Sequence, residues 1–283
     1  MRLLVLGASG MLGHAAVQAF AGRADLEVYG ATRRPLRLEG VPPDRLIAGV
    51  DALDDAAVQG VLDRVRPDAV LNAVGLIKQL KAADDPEQAA PINTRLPHRL
   101  ADLCEAAGAR LIHVSTDCVF SGARGSYSEA DAPDATDVYG RSKLRGEVAD
   151  RPHAVTLRTS LVGRELATRN GLIEWFMHAG PRVRGYRNFV FSGLTTLAFA
   201  EAVADHVLPR PELSGVWHIA GPPIDKYALL RLTAQTYGLE TEIEPVDEPR
   251  IDRSLDSSRF RAATGFAPPS WPQMLGTMRE RQG

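Results

Sequence analysis

Short apolar runs alternate with amphipathic stretches of helical length along the first 160 residues of the chain. The apolar runs are Leu3 to Leu6, Leu26 to Tyr29, Leu46 to Ala48, Ala69 to Asn72, Leu111 to Val114 and Val155 to Arg158. Stretches between them with helical spacing include Asp54 to Val65, Glu87 to Ala107 and Asp137 to Val148. Strands that alternate with helices form right-handed βαβ units, so the pattern predicts a doubly wound α/β fold with a parallel sheet.

The alternation becomes irregular after about residue 160. A helix is predicted over Thr195 to His206 and a strand over Gly215 to Ala220, while prolines divide the last third into short elements. We therefore expect a large domain over residues 1–160, completed by a returning strand near residues 215–221. Residues 161–283 are expected to form mainly a smaller C-terminal lobe.

Composition and charge limit the kinds of molecule that the protein is expected to bind. The 283 residues carry a net charge of -2 without blocks of like charge, which argues against nucleic acid or an anionic membrane as partner. No apolar run approaches the roughly 20 residues that span a bilayer. Two cysteines without a pairing pattern suit a reducing compartment, and the histidines show no metal-ligand spacing. We expect a cytoplasmic protein with a small-molecule partner and no required metal.

Three glycines at GxxGxxG spacing lie between the first strand and the first predicted helix, Leu12 to Phe20. Glycine permits a tight turn, close approach of a pyrophosphate to the backbone and close packing of helix on strand. The helix N-terminus adds partial positive charge. The pattern predicts a dinucleotide-binding Rossmann domain, although a purely structural glycine loop is the alternative. The predicted cofactor-binding residues of this turn are Gly7, Ser9, Gly10, Met11, Leu12 and Gly13.

Two arginines follow the second strand, where an NAD-preferring site usually carries a carboxylate. Arg33 and Arg34 suit a 2′-phosphate because guanidinium groups form paired, charge-assisted bonds to phosphate oxygens. This predicts NADP(H) as the preferred cofactor, with NAD(H) as an option; a solvated surface pair is the alternative. Asp51, after the third strand, is a candidate for the adenine amino group or an ordinary turn residue.

Tyr139 and Lys143 lie at i and i+4 of a predicted helix and therefore share one face. A phenol with a pKa of about 10 is a poor acid–base group near neutrality, and a neighbouring ammonium lowers that pKa. The pair is therefore predicted to be catalytic and to contact the cofactor, since Lys143 also suits the nicotinamide ribose. A surface pair with no catalytic role is the alternative.

Thr116 ends the strand that precedes this helix. In that position its hydroxyl is a candidate to hydrogen-bond a substrate carbonyl and polarise it. A Ser-Thr-Asp run after a strand is more commonly a turn or helix cap. The presence of Tyr139 and the glycine turn favours the catalytic interpretation.

These motifs together resemble the extended short-chain dehydrogenase/reductases, and most closely the dTDP-4-dehydrorhamnose reductase group. The similarity extends over essentially the whole chain. It is carried by Gly7 to Gly13, Ser115 to Gly122, Tyr139 to Lys143 with Gly146-Glu147, Leu157 to Ser160, Asn93, Pro97 and Arg253 to Asp256.

The resemblance implies NADPH-dependent reduction of the 4-keto group of a deoxy-sugar nucleotide, with Tyr139 as the proton donor. Thr116 would polarise the substrate carbonyl. Lys143 would lower the pKa of Tyr139 and hold the nicotinamide ribose. The loop Asn72-Ala73-Val74 after the fourth strand would lie beside the cofactor ribose.

Two departures concern the substrate. Leu161 follows Arg-Thr-Ser where the rhamnose-forming enzymes typically carry tryptophan, so a sugar contact is missing. Asp252 precedes Arg253 where the group commonly has Arg-Pro; Arg253 is still a candidate for the substrate pyrophosphate, with an ordinary surface arginine as the alternative. Further candidate substrate contacts are Lys78, Phe120, Asn170 and Trp175, of which Trp175 is otherwise expected in the core.

Two other functions fit a similar sequence. Sugar-nucleotide epimerases and dehydratases share the fold but recycle their cofactor, and Thr116-Asp117 lacks the added glutamate that indicates a dehydratase. Some proteins similar to this group are non-catalytic NADP-binding regulatory subunits. The helices Glu87 to Ala107 and Asp137 to Val148 are candidates for a homodimer interface.

Overall fold

The structure, a computed structural model, describes residues 1–282 of the chain. Its strands are β1 (Arg2–Leu6), β2 (Glu27–Ala31), β3 (Leu46–Ile47), β4 (Ala69–Asn72), β5 (Arg110–Thr116), β6 (Ala154–Thr159), β7 (Leu161–Val162), β8 (Arg182–Tyr186), β9 (Phe189–Phe191), β10 (Leu194–Thr195), β11 (Gly215–His218), β12 (Ile224–Asp225), β13 (Glu242–Val246) and β14 (Ile251–Asp252). Its helices are α1 (Met11–Ala21), α2 (Asp55–Val65), α3 (Pro86–Ala89), α4 (Leu96–Ala106), α5 (Val138–Arg145), α6 (Leu172–Met177), α7 (Thr196–Ala202), α8 (Lys226–Tyr237), α9 (Ser258–Thr264) and α10 (Trp271–Gln282).

Seven parallel strands form the central sheet in the order β11-β6-β5-β4-β1-β2-β3. The chain runs outward from β1 through β2 and β3, and then crosses back to β4 on the other side of β1. This arrangement confirms the predicted doubly wound α/β fold. Ligands of such sheets bind at the carboxyl ends of the strands where the order reverses, which here is between β1 and β4.

Helices cover both faces of the sheet, which explains its nearly continuous apolar strands. Side chains alternate across β1, so Leu3 and Val5 enter one core with Phe20 and Phe199, whereas Leu4 enters the other. The second core contains residues of α2 and α4. Burial on both sides makes the carboxyl edge of the sheet a rigid support for a site.

The helix predicted over residues 87–107 begins at Pro86 and is not regular. Asp85 caps it by accepting a hydrogen bond from the Glu87 amide at 2.9 Å. Residues 90–95 form a π-helical turn that contains Pro91, which has no amide hydrogen for an α-helical bond. The helical stretch predicted over residues 87–107 is therefore present but interrupted, and the turn carries Asn93 toward α5.

Three small sheets lie beyond residue 160, in the orders β10-β7, β12-β9-β14 and β13-β8. The β14 region returns to the loop after β5, because the Tyr127 amide donates to the Ser254 carbonyl at 2.9 Å. This contact brings the C-terminal segment to the carboxyl edge of the main sheet. Across residues 1–282, none of the helices combines the length and apolar character needed to cross a membrane.

Candidate active site

The glycine turn between β1 and α1 is closely packed at Gly7 and Gly13. Gly7 has a positive φ of 82°, and its amide donates to the Ala31 carbonyl at 3.1 Å. A Cβ at Gly7 would lie 2.9 Å from Cγ2 of Val74, and one at Gly13 would clash with the Gly7 carbonyl. Each of these two glycines therefore permits a close approach that no side chain would allow.

The N-terminus of α1 fits a bound diphosphate. Gly10, its N-cap, has extended backbone angles and no side chain that could cap the first amides of the helix. Ser9 and Gly10 are exposed, Met11 is half-buried and Leu12 is buried in the core. The turn thus leaves the first backbone amides of an 11-residue helix without a side-chain cap, an arrangement that favours anions.

Arg33 and Arg34 follow β2, and Asp51 follows the neighbouring strand β3. Both arginines are exposed, and the Arg34 carbonyl accepts a hydrogen bond from the Thr32 hydroxyl at 2.6 Å. The Val50 amide donates to the Thr32 carbonyl at 3.0 Å, which joins the two loops. Asp51 is exposed and accepts from the Leu53 amide at 3.0 Å, so its carboxylate also serves the local turn.

The loop after β4 passes directly beside the glycine turn. Nδ2 of the buried Asn72 lies 3.1 Å from Nδ1 of His113, and its Oδ1 accepts from the Val74 amide at 3.1 Å. The Ala73 amide donates to the Leu6 carbonyl at 3.0 Å. These bonds place Asn72, Ala73 and Val74 at the crevice between β1 and β4.

Tyr139, Lys143 and Thr116 come together at the carboxyl end of β5. Asp137 caps α5 by accepting from the Gly140 amide at 2.7 Å, and the helix then presents Tyr139 and Lys143 to the sheet. The Thr116 side chain lies close enough to the Tyr139 phenol to lower its pKa. The Lys143 ammonium donates to the Val114 carbonyl at 2.7 Å. The structure thus brings the three predicted catalytic side chains together.

Burial has the largest effect on the pKa values of Tyr139 and Lys143. It raises the pKa of Tyr139 above its usual range, and the nearby Cys118 and Asp117 raise it further. Burial also lowers the pKa of Lys143 to about 8, against an upward effect of the Glu147 carboxylate. The predicted lowering of the Tyr139 pKa is therefore wrong, because desolvation by burial is the larger effect.

Asn93 anchors α5 from the π-helical turn. Its Nδ2 donates to the Ser142 hydroxyl at 3.1 Å, and its Oδ1 accepts from the Leu76 amide at 2.9 Å. The Ser142 hydroxyl in turn donates to the Tyr139 carbonyl at 2.8 Å. Sequence reasoning gave Asn93 no role; a buried amide in a helix that also contains proline is the signal that could have identified it.

The predicted substrate residues have different environments. Lys78 forms an ion pair with Asp137 at 2.5 Å, at the start of α5. Arg253 is only 8% exposed and its Nε donates to the Phe120 carbonyl at 2.9 Å, so it is not an ordinary surface arginine. The Phe120 ring is fully buried and stacks on Tyr127, so the prediction that it edges a sugar pocket was wrong. That ring supports the loop after β5.

Asn170 and Trp175 belong to a segment near the first turn of α1. A Cβ at Gly171 would lie 3.3 Å from Sδ of Met11. The Asn170 amide donates to Oε2 of Glu165 at 2.7 Å. Trp175 on α6 is 42% exposed, so the alternative that it lies in the core is wrong, and its contact with substrate stays a prediction.

The fold and the Tyr-x-x-x-Lys pair beside a glycine turn define a protein of the extended short-chain dehydrogenase/reductase type. The chain belongs to the RmlD substrate binding domain family, whose model matches residues 1–179. This confirms the family resemblance predicted from the sequence.

Similar proteins include both an enzyme and a subunit of another enzyme. The chain is 32% identical over 171 residues to methionine adenosyltransferase 2 subunit beta of Danio rerio, covering 58% of this chain and 49% of that relative. The chain thus matches about half the length of that relative. It is 23% identical to dTDP-4-dehydrorhamnose reductase of Aggregatibacter actinomycetemcomitans, with 98% of both chains covered.

A solved structure shares the fold over the whole chain. It is the dTDP-4-dehydrorhamnose reductase of Bacillus anthracis in complex with NADP, with a TM-score of 0.80 and 20% identity. The alignment covers 100% of this chain and 99% of that one. At this identity the likeness demonstrates the common fold.

Proposed function

We propose that the protein is an NADPH-dependent reductase of the 4-keto group of a deoxy-sugar nucleotide, with NADH as an alternative hydride donor. The observation that carries this proposal is the meeting of Tyr139, Thr116 and Lys143 at the sheet edge that also holds the glycine turn. Support also comes from the full-length similarity to a dTDP-4-dehydrorhamnose reductase. Residues 1–160 would hold mainly the cofactor and residues 161–283 mainly the substrate.

The cofactor-binding residues fit a dinucleotide phosphate along the crevice. The turn from Gly7 to Gly13 would hold the diphosphate, and Arg33 with Arg34 would hold the 2′-phosphate. Asp51 would accept from the adenine, while Asn72 to Val74 and Lys143 would lie along the ribose on the nicotinamide side. When bound, NADPH supplies a hydride.

The protein's own contribution is to polarise and protonate the carbonyl oxygen. The Tyr139 phenol would donate the proton, and the neighbouring ammonium of Lys143 would favour its release. The Thr116 hydroxyl would hydrogen-bond the same oxygen and stabilise its developing charge. Lys143 would hold the cofactor ribose and supply positive charge beside the phenol.

The decisive experiment is turnover with a panel of dTDP- and UDP-linked 4-keto-6-deoxy sugars, with NADPH consumption followed by absorbance. We expect one member to consume NADPH stoichiometrically and to yield a reduced sugar. Product formation without net NADPH consumption would instead indicate an epimerase or dehydratase. The same assay with NADH measures cofactor preference.

A non-catalytic NADP-binding subunit is the second candidate function, favoured by the similarity to methionine adenosyltransferase 2 subunit beta. NADPH binding without turnover of any panel member would support it. The three assembled side chains favour catalysis, because a purely regulatory NADP site does not need a proton donor. A homodimer through the helical segments 87–107 and 137–148 stays a prediction, which sedimentation equilibrium would measure.

A further inference from the structure

A polar pair of residues ends the second core of the sheet, at the carboxyl ends of β4 and β5. Deeper on the same face, Val70 of β4 lies opposite Leu111 of β5, and both are fully buried. The next pair on that face is Asn72 opposite His113, and each of these residues is only 1% exposed. Polar side chains at this depth need hydrogen-bond partners, so the partners of this pair indicate its role.

The hydrogen bonds of Asn72 determine how the two side chains meet. Its Oδ1 accepts from the Val74 amide, so its Nδ2 is the atom that lies 3.1 Å from Nδ1 of His113. An amide nitrogen only donates, and Nδ1 of His113 is therefore the acceptor. The ring is then neutral and carries its proton on Nε2. Burial and the charges of Lys143 and His98 lower the pKa of His113 well below its usual range, which favours the neutral ring.

The other ring nitrogen of His113 has no comparable bond. Within the described part of the chain, Nε2 is buried and has no hydrogen-bond partner. A buried N–H without a partner is destabilising, and an apolar side chain such as that of Leu111 on the same face avoids the cost. The bond at Nδ1, and not packing in the core, therefore explains a histidine at this position.

Asn72 connects His113 to the loop beside the glycine turn. Oδ1 of Asn72 holds the Val74 amide at 3.1 Å. The Val74 side chain in turn packs against Gly7, where an added Cβ would lie 2.9 Å from Cγ2 of Val74. A continuous series of contacts thus runs from His113 through Asn72 and Val74 to the turn that would hold the cofactor diphosphate.

We propose that His113 is a positioning residue that holds the loop after β4 in the conformation that binds NADPH. Without the acceptor at Nδ1, the Asn72 amide is free to rotate and to release the Val74 amide. The loop must then be ordered when the cofactor binds, and this entropic cost weakens binding. The inference rests on the proposed NADPH site, and it adds a role for a residue buried behind that site.

The test is a fluorescence titration of the purified protein with NADPH in the absence of substrate. We expect His113→Leu to weaken NADPH binding about tenfold, because leucine fills the core but accepts no hydrogen bond. His113→Asn should restore most of the affinity, since its Oδ1 can take the place of Nδ1. His153→Leu is the matched control and should leave the affinity unchanged. It removes a bond from Nε2 to the Ala101 carbonyl just before β6, at the opposite edge of the sheet.

Two further measurements distinguish positioning from a general packing defect. The double variant His113→Leu/Asn72→Ala should bind NADPH no more weakly than Asn72→Ala alone, because both substitutions act through one bond. NMR spectra of the wild-type protein with ¹⁵N-labelled histidine should show His113 with an unprotonated Nδ1. The NMR measurement needs no variant, so it tests the inference even if His113→Leu does not fold.

Each of four results would overturn the inference. They are wild-type affinity in a folded His113→Leu variant, no recovery in His113→Asn, additive losses in the double variant, and a protonated Nδ1 in the wild type. If NADPH binding depends on His113 as expected but no keto-sugar is reduced, the proposed reductase function fails while the role of His113 stands. Unfolding temperatures of all variants identify any folding defect.

Discussion

Arg158 and Glu147 form a buried two-point ion pair behind the strand that ends at Thr116. Nε and Nη2 of Arg158 donate to the two carboxylate oxygens at 2.8 and 2.7 Å, and each side chain is 6% exposed. Oε1 of Glu147 also accepts from the Ser115 hydroxyl at 2.7 Å. Since Ser115 precedes Thr116 and Glu147 follows α5, the pair joins the two elements that carry the candidate catalytic side chains.

Loss of one partner of this pair should destabilise the protein strongly. We expect Arg158→Met to lower the free energy of unfolding by about 3–5 kcal/mol, because it leaves the Glu147 carboxylate buried without its cation. Urea denaturation measures the change. Arg182→Met is the control: its ion pair with Glu242 has both side chains more than 60% exposed, and its loss should cost at most about 1 kcal/mol. Equal effects of the two substitutions would contradict the assignment.

The Glu147 carboxylate should also control the alkaline limb of activity. Lys143 carries its charge only below a pKa of about 8, so kcat/KM should fall as pH rises through about 8. The negative charge of Glu147 favours the ammonium, and Glu147→Gln should therefore move this limb to lower pH. A pH profile of kcat/KM, measured on protein that retains NADPH binding, gives the midpoint. An unmoved midpoint would show that the carboxylate does not act on Lys143.

Replacement of the proposed proton donor should separate chemistry from binding. We expect Tyr139→Phe to lower kcat by a factor of order 10² or more with nearly unchanged NADPH affinity, because only the hydroxyl is lost. Steady-state kinetics and a fluorescence titration with NADPH measure the two quantities. Tyr186→Phe, on β8, is the control and should leave kcat unchanged. Wild-type turnover in the Tyr139 variant would remove its assigned role.

The arginine pair after β2 should determine which cofactor is preferred. Combined Arg33→Ala and Arg34→Ala substitutions should weaken NADPH far more than NADH, since only NADPH carries the 2′-phosphate. Dissociation constants for both cofactors test this. Arg37→Ala removes an exposed charge from the same loop and serves as the control. Parallel losses for the two cofactors would exclude a phosphate contact.

Much of the candidate site could be predicted from local sequence patterns. The glycine turn and the Tyr139–Lys143 pair each lie within one short segment, where strand, turn and helix geometry determine the relative positions of neighbours. The pKa values of Tyr139 and Lys143 were less predictable from the sequence. Burial raises the pKa of Tyr139, and the amount of burial depends on segments far away in the chain.

The sequence by itself determined the alternation of strands and helices, the parallel sheet and the first cofactor turn, because these follow from short-range periodicity and backbone constraints. Only the tertiary structure showed that Phe120 is core, that Trp175 is exposed and that Arg253 is buried. Arg253 and Phe120 are 133 residues apart yet share a hydrogen bond. Such contacts depend on how β14 and β9 pack beside β5, and no local pattern of residues specifies that packing.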